Sequence, residues 1–287
     1  MKYGLQVINS WSSRHNVPNN SKFLLDLIVE AEEAGWDGVF LWDHLLFPWV
    51  IEMAEPWTVL SAASSLTRRI KLGTAVTPVT RRRPQVLAKQ LVTLDEISGG
   101  RVILGAGLGG GGKEDAGRDF SAFGEPDDYA TLAEIGDEAL DVITGLWSGE
   151  EFTYSGEHFQ VDHVTFLPKP VQEPGIPIWI GGVTKAAIRR AVRYDGWVPG
   201  GPSPTVGEAG LSLDEVERII NQIDEMRELG GAFDVCYGFE FPPEPELREW
   251  IERGEEIGIT WMQEMIFGLK YNGEGALERI RSGPPDY

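Results

Sequence analysis

The chain has 287 residues, a formal charge of −20, one cysteine and four histidines. Such an acidic surplus opposes nucleic-acid binding, which draws on cationic contacts with phosphates, and opposes adhesion to anionic membranes. A single cysteine, Cys236, excludes an internal disulfide, and the cysteine and histidines have no zinc-ligand spacing, so no metal is expected. No apolar run reaches the roughly 18 residues of a membrane span and no signal-peptide pattern opens the chain, so a cytoplasmic location is expected.

In chain order, short β-like runs alternate with amphipathic helices. The strand "YGLQVI" precedes a helix near Ser21–Ala34, where Leu24, Leu27, Ile28 and Ala31 share one face. "DGVFLWD" reads as a buried strand, followed by a helix over Pro56–Leu66 with proline in its first turn. "IKLGTAV" leads to a helix over Pro84–Ile97, and "RVILGAG" to one over Tyr129–Trp147. Gly149–Pro170 breaks the rhythm: it is β-rich and helix-poor, and predicts an inserted hairpin. The alternation then resumes with "IPIWIGG", "DGWVPGG", "FDVCYGFEF" and "GITWMQEMIF", followed by helices over Lys185–Tyr194, Asp214–Leu229, Glu244–Glu256 and Glu274–Arg281. Eight strands and eight helices without a Ser/Pro-rich linker predict one domain over residues 1–287. The class is α/β, and the series suits a (β/α)8 TIM barrel with an insertion at about 149–170, though an open doubly wound sheet can be written the same way.

The stretch "VILGAGLGGGGK" contains G-x-G-x-x-G at Gly105, Gly107 and Gly110. A Rossmann fingerprint turns tightly from strand into helix, whereas the next convincing helix here begins near Tyr129. Two other readings remain: a surface loop, or backbone lying against a flat ligand at a barrel mouth, with Gly107 and Gly109 offering it.

Asp43–His44 stands at the end of the second strand. A histidine beside a carboxylate can exchange a proton near neutral pH, or be hydrogen-bonded into its loop as a packing residue. Gly181–Gly182–Val183–Thr184 joins a strand to a helix. Its N–H groups, the threonine hydroxyl and Lys185 could form an anion site, or the glycines could simply turn the chain. Arg81–Arg82–Arg83 reads either as a solvated charge run or as a contact for a phosphate or acidic tail. Trp11, Trp42, Trp49 and Trp57 fall near the first two strand ends, where they could build an apolar substrate pocket or pack as a lid.

Four segments together resemble the luciferase-like monooxygenase superfamily of flavin- and deazaflavin-dependent oxidoreductases. These are "AEEAGWDGVFLWDH", "LTRRIKLGTAVTP", "RRPQVLAKQLVTLDEISGGRVILGAGLG" and "FLPKPVQEPGIPIWIGG", within a match running from about Tyr3 to Pro199. The resemblance implies a (β/α)8 barrel with a hairpin-bearing insertion before strand 5. It implies an Asp43–His44 pair lining the cofactor ring, with His44 and Asp43 serving proton exchange. It implies a non-proline cis peptide between Ala75 and Val76, behind the ring and flanked by Thr74, and a cofactor phosphate at Gly181–Thr184. Arg83–Pro84 matches a position that commonly carries Arg-Pro. Trp49 stands near a substrate-side tryptophan of the sugar-phosphate dehydrogenase relatives, with one extra residue between it and His44. Their glutamate after the fourth strand is replaced by Leu108–Gly109–Gly110, which argues against sugar-phosphate oxidation. The resemblance thus implies an oxidoreductase that uses F-420 (a deazaflavin) for hydride transfer with a small organic substrate, as a homodimer. An FMN-dependent monooxygenase using oxygen and a non-catalytic flavin-binding barrel are the alternatives.

Overall fold

The computed structural model describes residues 1–46, 50–110, 118–199, 211–227, 230–243 and 245–286. The first half runs β1 (Lys2–Val7), α1 (Asn20–Glu33), β2 (Gly38–Leu41), α2 (Pro56–Leu66), β3 (Lys71–Thr74), β4 (Thr77–Pro78), α3 (Pro84–Ser98), β5 (Val102–Gly107), the short α4 (Arg118–Ser121) and α5 (Tyr129–Trp147). The second half runs β6 (Glu151–Ser155), β7 (Gln160–Thr165), β8 (Ile178–Gly181), α6 (Lys185–Ala191), β9 (Gly196–Val198), α7 (Leu213–Met226), β10 (Asp234–Phe239), α8 (Glu246–Glu256), β11 (Trp261–Ile266) and α9 (Gly273–Arg281).

Parallel pairing links β1, β2, β3, β5, β8, β9, β10 and β11 in turn, and β11 pairs back to β1 from Lys2↔Trp261 to Val7↔Ile266. This is a closed (β/α)8 barrel. The expected third strand, Ile70–Val76, is interrupted: it stops at Thr74 and resumes as β4, and both pieces pair with β5. Antiparallel β6 and β7 form the inserted hairpin before the fifth barrel strand. Helix α4 is an element that the spacing did not predict, because four residues carry no readable period.

Local chemistry sets the element ends. Pro56 and Pro84 open α2 and α3, where a first-turn N–H would lack a helical partner anyway. Asn19, Asp128, Ser212 and Asn272 cap α1, α5, α7 and α9 by accepting backbone N–H bonds. Among the described residues, no helix is long and apolar enough to cross a membrane.

Strand alternation divides the apolar residues into two layers. Leu5, Val39, Leu41, Leu72, Leu104 and Ile180 face the helices. Phe40, Ile103, Trp179, Val198, Cys236 and Trp261 fill the lumen. Phe40 stacks on Trp179 at 5.1 Å and meets Trp261 edge-on at 5.6 Å. This plug closes the barrel below, so a ligand can enter only above it, at the strand C-termini.

The glycines of β5 are part of that upper wall. A Cβ on Gly105 would collide with the Thr74 carbonyl, and one on Gly107 with the Val76 side chain. Gly105→Ala should therefore destabilise the protein by about 3 kcal/mol, against within about 0.5 kcal/mol for Gly175→Ala, where the added methyl meets nothing within 4 Å. Denaturant unfolding of the two variants checks this; equal stabilities would show that the third strand can shift to accommodate a methyl.

Candidate active site

The end of β2 and the turn after β4 meet in a buried ion network. Asp43 is 2% exposed, and both carboxylate oxygens are occupied. Arg81 Nη2 approaches Oδ1 at 2.7 Å and also donates to the Asp43 carbonyl at 2.6 Å. Arg82 Nη2 donates to Oδ1 at 2.9 Å and its Nε to Oδ2 at 3.0 Å. The Thr77 hydroxyl donates to Oδ2 at 2.8 Å and accepts from Trp57 Nε1 at 3.0 Å. Burial pushes the Arg82 guanidinium down, but Asp43 and Glu55 outweigh it and hold it above its ordinary value. The arginine run is therefore neither solvated nor open to a phosphate at its first two positions; only Arg83 is exposed.

The carboxylate against His44 is Asp119, on α4. His44 Nδ1 lies 3.0 Å from Asp119 Oδ2. A carboxylate only accepts, so the Nδ1–H donates and Nε2 is the ring nitrogen not engaged by Asp119. Asp119 also accepts the backbone N–H groups of Leu45, at 3.2 Å, and of Leu46. Arg81 Nη1 completes the set at 2.9 Å, so one guanidinium bridges Asp43 and Asp119. Burial pushes the Asp119 carboxyl up, but the bonds from His44 and Leu46 and the charges of His44 and Arg81 outweigh it. The net result lies below the usual carboxylate range. Asp43, which the sequence places beside His44 in proton exchange, acts here as a buried counter-ion of Arg81 and Arg82.

The Ala75–Val76 peptide is cis, and it carries Val76 toward the lumen. Val76 packs where β5 and β8 have no side chains: a Cβ on Gly107 would strike its Cγ2, and one on Gly181 would come within 3.0 Å of its Cγ1. Gly107 thus makes room for Val76. Gly109, with φ +83°, makes room for the Phe120 ring of α4. Gln6 Nε2 reaches the Ala75 carbonyl at 3.4 Å, while Gln6 Oε1 is buried without a hydrogen-bond partner. Thr74 is fully buried and donates to the Gly105 carbonyl at 3.1 Å.

At the β8–α6 junction, Gly182 has φ +115°, and its N–H donates to the Val198 carbonyl. Thr184 caps α6 by accepting from the Ala187 N–H at 3.2 Å, which leaves its hydroxyl proton for an anion. Val183, Thr184 and Lys185 are exposed. An anion there would meet the first N–H groups of α6 and the threonine hydroxyl, not the Gly182 amide.

The tryptophans separate. Trp11 is fully buried against Phe23, with ring centroids 4.9 Å apart, and Trp57 belongs to the network beneath Asp43. Trp42 is the one beside the histidine, its ring 5.7 Å from that of His44. Trp49 lies outside the described residues. Among the described residues, no group of three or more His, Cys, Asp or Glu is placed to hold a metal. Burial pushes the Cys236 thiol well up, so it is no ready nucleophile.

Sequence reasoning missed Asp119 and Thr77. Asp119 lies 75 residues beyond His44, and nothing in its own neighbourhood marks it. The available signal was indirect: consecutive arginines at a strand end, if buried, require carboxylates nearby.

The family model described as luciferase-like monooxygenase matches residues 1–236. An F-420-dependent glucose-6-phosphate dehydrogenase of Nakamurella multipartita is 33% identical over 225 residues, covering 74% of this chain and 63% of that protein. The chain therefore spans less than two thirds of that relative's length. The same fold occurs in the monooxygenase RslO1 of Streptomyces bottropensis, with a TM-score of 0.75, 19% identity, and 98% and 97% of the two chains covered. It also occurs in the coenzyme F-420-dependent tetrahydromethanopterin reductase of Methanopyrus kandleri, with a TM-score of 0.73, 18% identity and the same coverage.

The depressed Asp119 carboxyl gives stability a signed pH dependence. The folded state binds fewer protons than the unfolded state between the lowered value and the ordinary aspartate value of about 3.9. The contribution is complete above that window and disappears as pH falls through it. The stability gap between wild type and Asp119→Asn should accordingly shrink as pH falls below about 4. Urea unfolding at stepped pH measures it, and a gap that widens as pH falls through that window would contradict the ionised assignment.

Proposed function

The chain belongs to the luciferase-like monooxygenase family, and from that premise we propose that it is an oxidoreductase pairing F-420 with a small organic substrate. The observation that carries this reading is His44, oriented by a buried carboxylate beyond the end of β2, the strand paired to the one that leads into the Ala75–Val76 bulge. The relatives named for F-420 support the deazaflavin over FMN. The pocket fits the flat tricyclic ring that both cofactors share. Gly107 and Gly181 keep the wall around Val76 free of other side chains, and Gln6 Oε1 offers an unpaired acceptor beside the Ala75 carbonyl.

Ala75, Val76 and Gly181 would support the ring, with Gly107 and Gly109 holding the wall behind it. The loop of Gly182, Val183 and Thr184 would take the cofactor phosphate. When bound, F-420 supplies a ring carbon that accepts or returns a hydride. His44 handles the matching proton: Nε2 takes it from a substrate hydroxyl as the carbon is oxidised, and the imidazolium returns it in the reverse direction. Trp42 and, from the sequence, Trp49 would contribute the apolar side of the substrate pocket. Action in the cytoplasm is part of the same reading.

The reading includes a homodimer. Helices α2 and α3 border a groove of about 680 Å³ lined by Trp57, Val86, Lys89 and Ile97. Val86 and Ile97 are more than half exposed, and a second copy would cover them. Light scattering should give twice the chain mass, and Val86→Glu should reduce it to the monomer; a wild-type monomer at micromolar concentration would refute the dimer.

Titration with F-420 and with FMN tests the cofactor. We expect F-420 to bind in the micromolar range or tighter and FMN more weakly. FMN binding without F-420 binding would move the chain to oxygen-dependent flavin chemistry. Tight binding of a reduced cofactor without turnover on a broad alcohol and carbonyl panel would indicate a non-catalytic barrel. His44→Asn should lower kcat by about 10²–10⁴-fold with cofactor affinity unchanged, and wild-type kcat in that variant would remove His44 from the chemistry.

A further inference from the structure

We propose that Asp119 is a positioning residue for His44: it fixes the imidazole in the Nδ1–H tautomer and so makes Nε2 the nitrogen that exchanges the proton. The inference deepens the reading of His44 above and rests on it for its catalytic consequence, but the tautomer follows from geometry alone.

Three features support it. The His44 Nδ1 to Asp119 Oδ2 distance of 3.0 Å is that of a made hydrogen bond. Asp119 is only 1% exposed, so water does not compete for its oxygens. The same carboxylate accepts the N–H groups of Leu45 and Leu46, the two residues after His44. The ring and the backbone that carries it are therefore referenced to one group. Freedom that the ring would otherwise have about its side-chain torsions is removed before substrate arrives.

The charge environment keeps that carboxylate in place. Asp119 faces His44 from α4, and Arg81 approaches the same carboxylate at 2.9 Å. Asp43 and Arg82 stand beyond Arg81, Glu55 pairs with Arg82 at 2.9 Å, and the Trp42 ring lies 5.7 Å from the imidazole. Arg81 thus holds Asp119 from one side while His44 donates to it from the other.

The measurement is long-range ¹H–¹⁵N imidazole correlation spectroscopy of the full chain. Its four histidines, His15, His44, His158 and His163, are assigned by single substitution. In wild type, His44 should show the Nδ1–H tautomer at high pH. Asp119→Asn should mix the tautomers, whereas Asp119→Glu should restore the Nδ1–H form. kcat with F-420 should fall about tenfold or more in Asp119→Asn and recover in Asp119→Glu, with F-420 affinity within about twofold of wild type. A role confined to packing would lower the melting temperature without changing the tautomer.

An Nε2–H tautomer in wild type, or an unmixed Nδ1–H tautomer with wild-type kcat in folded Asp119→Asn, overturns the proposal. If Asp119→Asn does not fold, the wild-type tautomer and the tautomer and kcat of Asp119→Glu decide it. Failure of F-420 to bind would remove the functional reading above while leaving the spectroscopic result on Asp119 intact.

Discussion

The burial of the Asp43 carboxylate is the constraint on which the mouth of this barrel depends. An ionised carboxylate removed from water costs several kcal/mol unless donors surround it. Here the donors are two consecutive guanidiniums and a threonine hydroxyl. Each arrives from the resumed piece of the third strand or the turn directly after it, so that segment cannot move without stranding the charge. Replacing any one donor would leave a buried anion short of partners, which is far more costly than never having buried it. The network is better understood as fixing one geometry than as adding net stability.

That geometry is transmitted to the third strand by packing. The strand stops at Thr74, turns through the Ala75–Val76 bulge and resumes at Thr77, one of the groups that holds Asp43. The bulge needs space on its far side. Gly105, Gly107 and Gly181 leave it on two neighbouring strands, where any side chain would meet Thr74 or Val76. The glycine run thus has a definite physical task. It lets three strands close around a bulge, and the bulge rather than the glycines faces the lumen.

Much of this was legible in the sequence, and the limits have physical causes. The eight alternating units and the hairpin were visible because apolar periodicity is written locally along each element. The positions of His44, Ala75–Val76 and Gly181–Thr184 followed from strand ends together with the family resemblance. What stayed hidden depends on contacts across the mouth. Arg81 and Arg82 read as a solvated run because charge in one dimension does not reveal burial. Asp119 sits on a four-residue helix with no period to detect, 75 residues from its partner. Trp11 and Trp57 looked like mouth aromatics because proximity to a strand end says nothing about which way a ring turns. Helix α6 ends at Ala191, short of the expected Tyr194, because the last turn tightens: Arg193 and Tyr194 N–H groups donate to the carbonyls of Arg190 and Ala191, three residues back.

The separate contacts form one continuous path. Thr77 bonds Asp43, Asp43 bonds Arg81, Arg81 bonds Asp119, and Asp119 bonds His44. The first member belongs to the strand piece that follows the bulge, and the last is the imidazole of the proposed proton exchange. A ligand resting on the bulge would therefore be registered to the histidine through a chain of charged hydrogen bonds, which resist displacement more strongly than apolar packing because each is directional. This matters for the proposed reaction, which separates a hydride from a proton. The two particles leave the substrate from adjacent atoms, and their acceptors must be held at a fixed spacing. A barrel provides loops for chemistry but no intrinsic spacing between them. Here the spacing between the third-strand bulge and the second-strand histidine is set by the two carboxylates and the arginine shared between them.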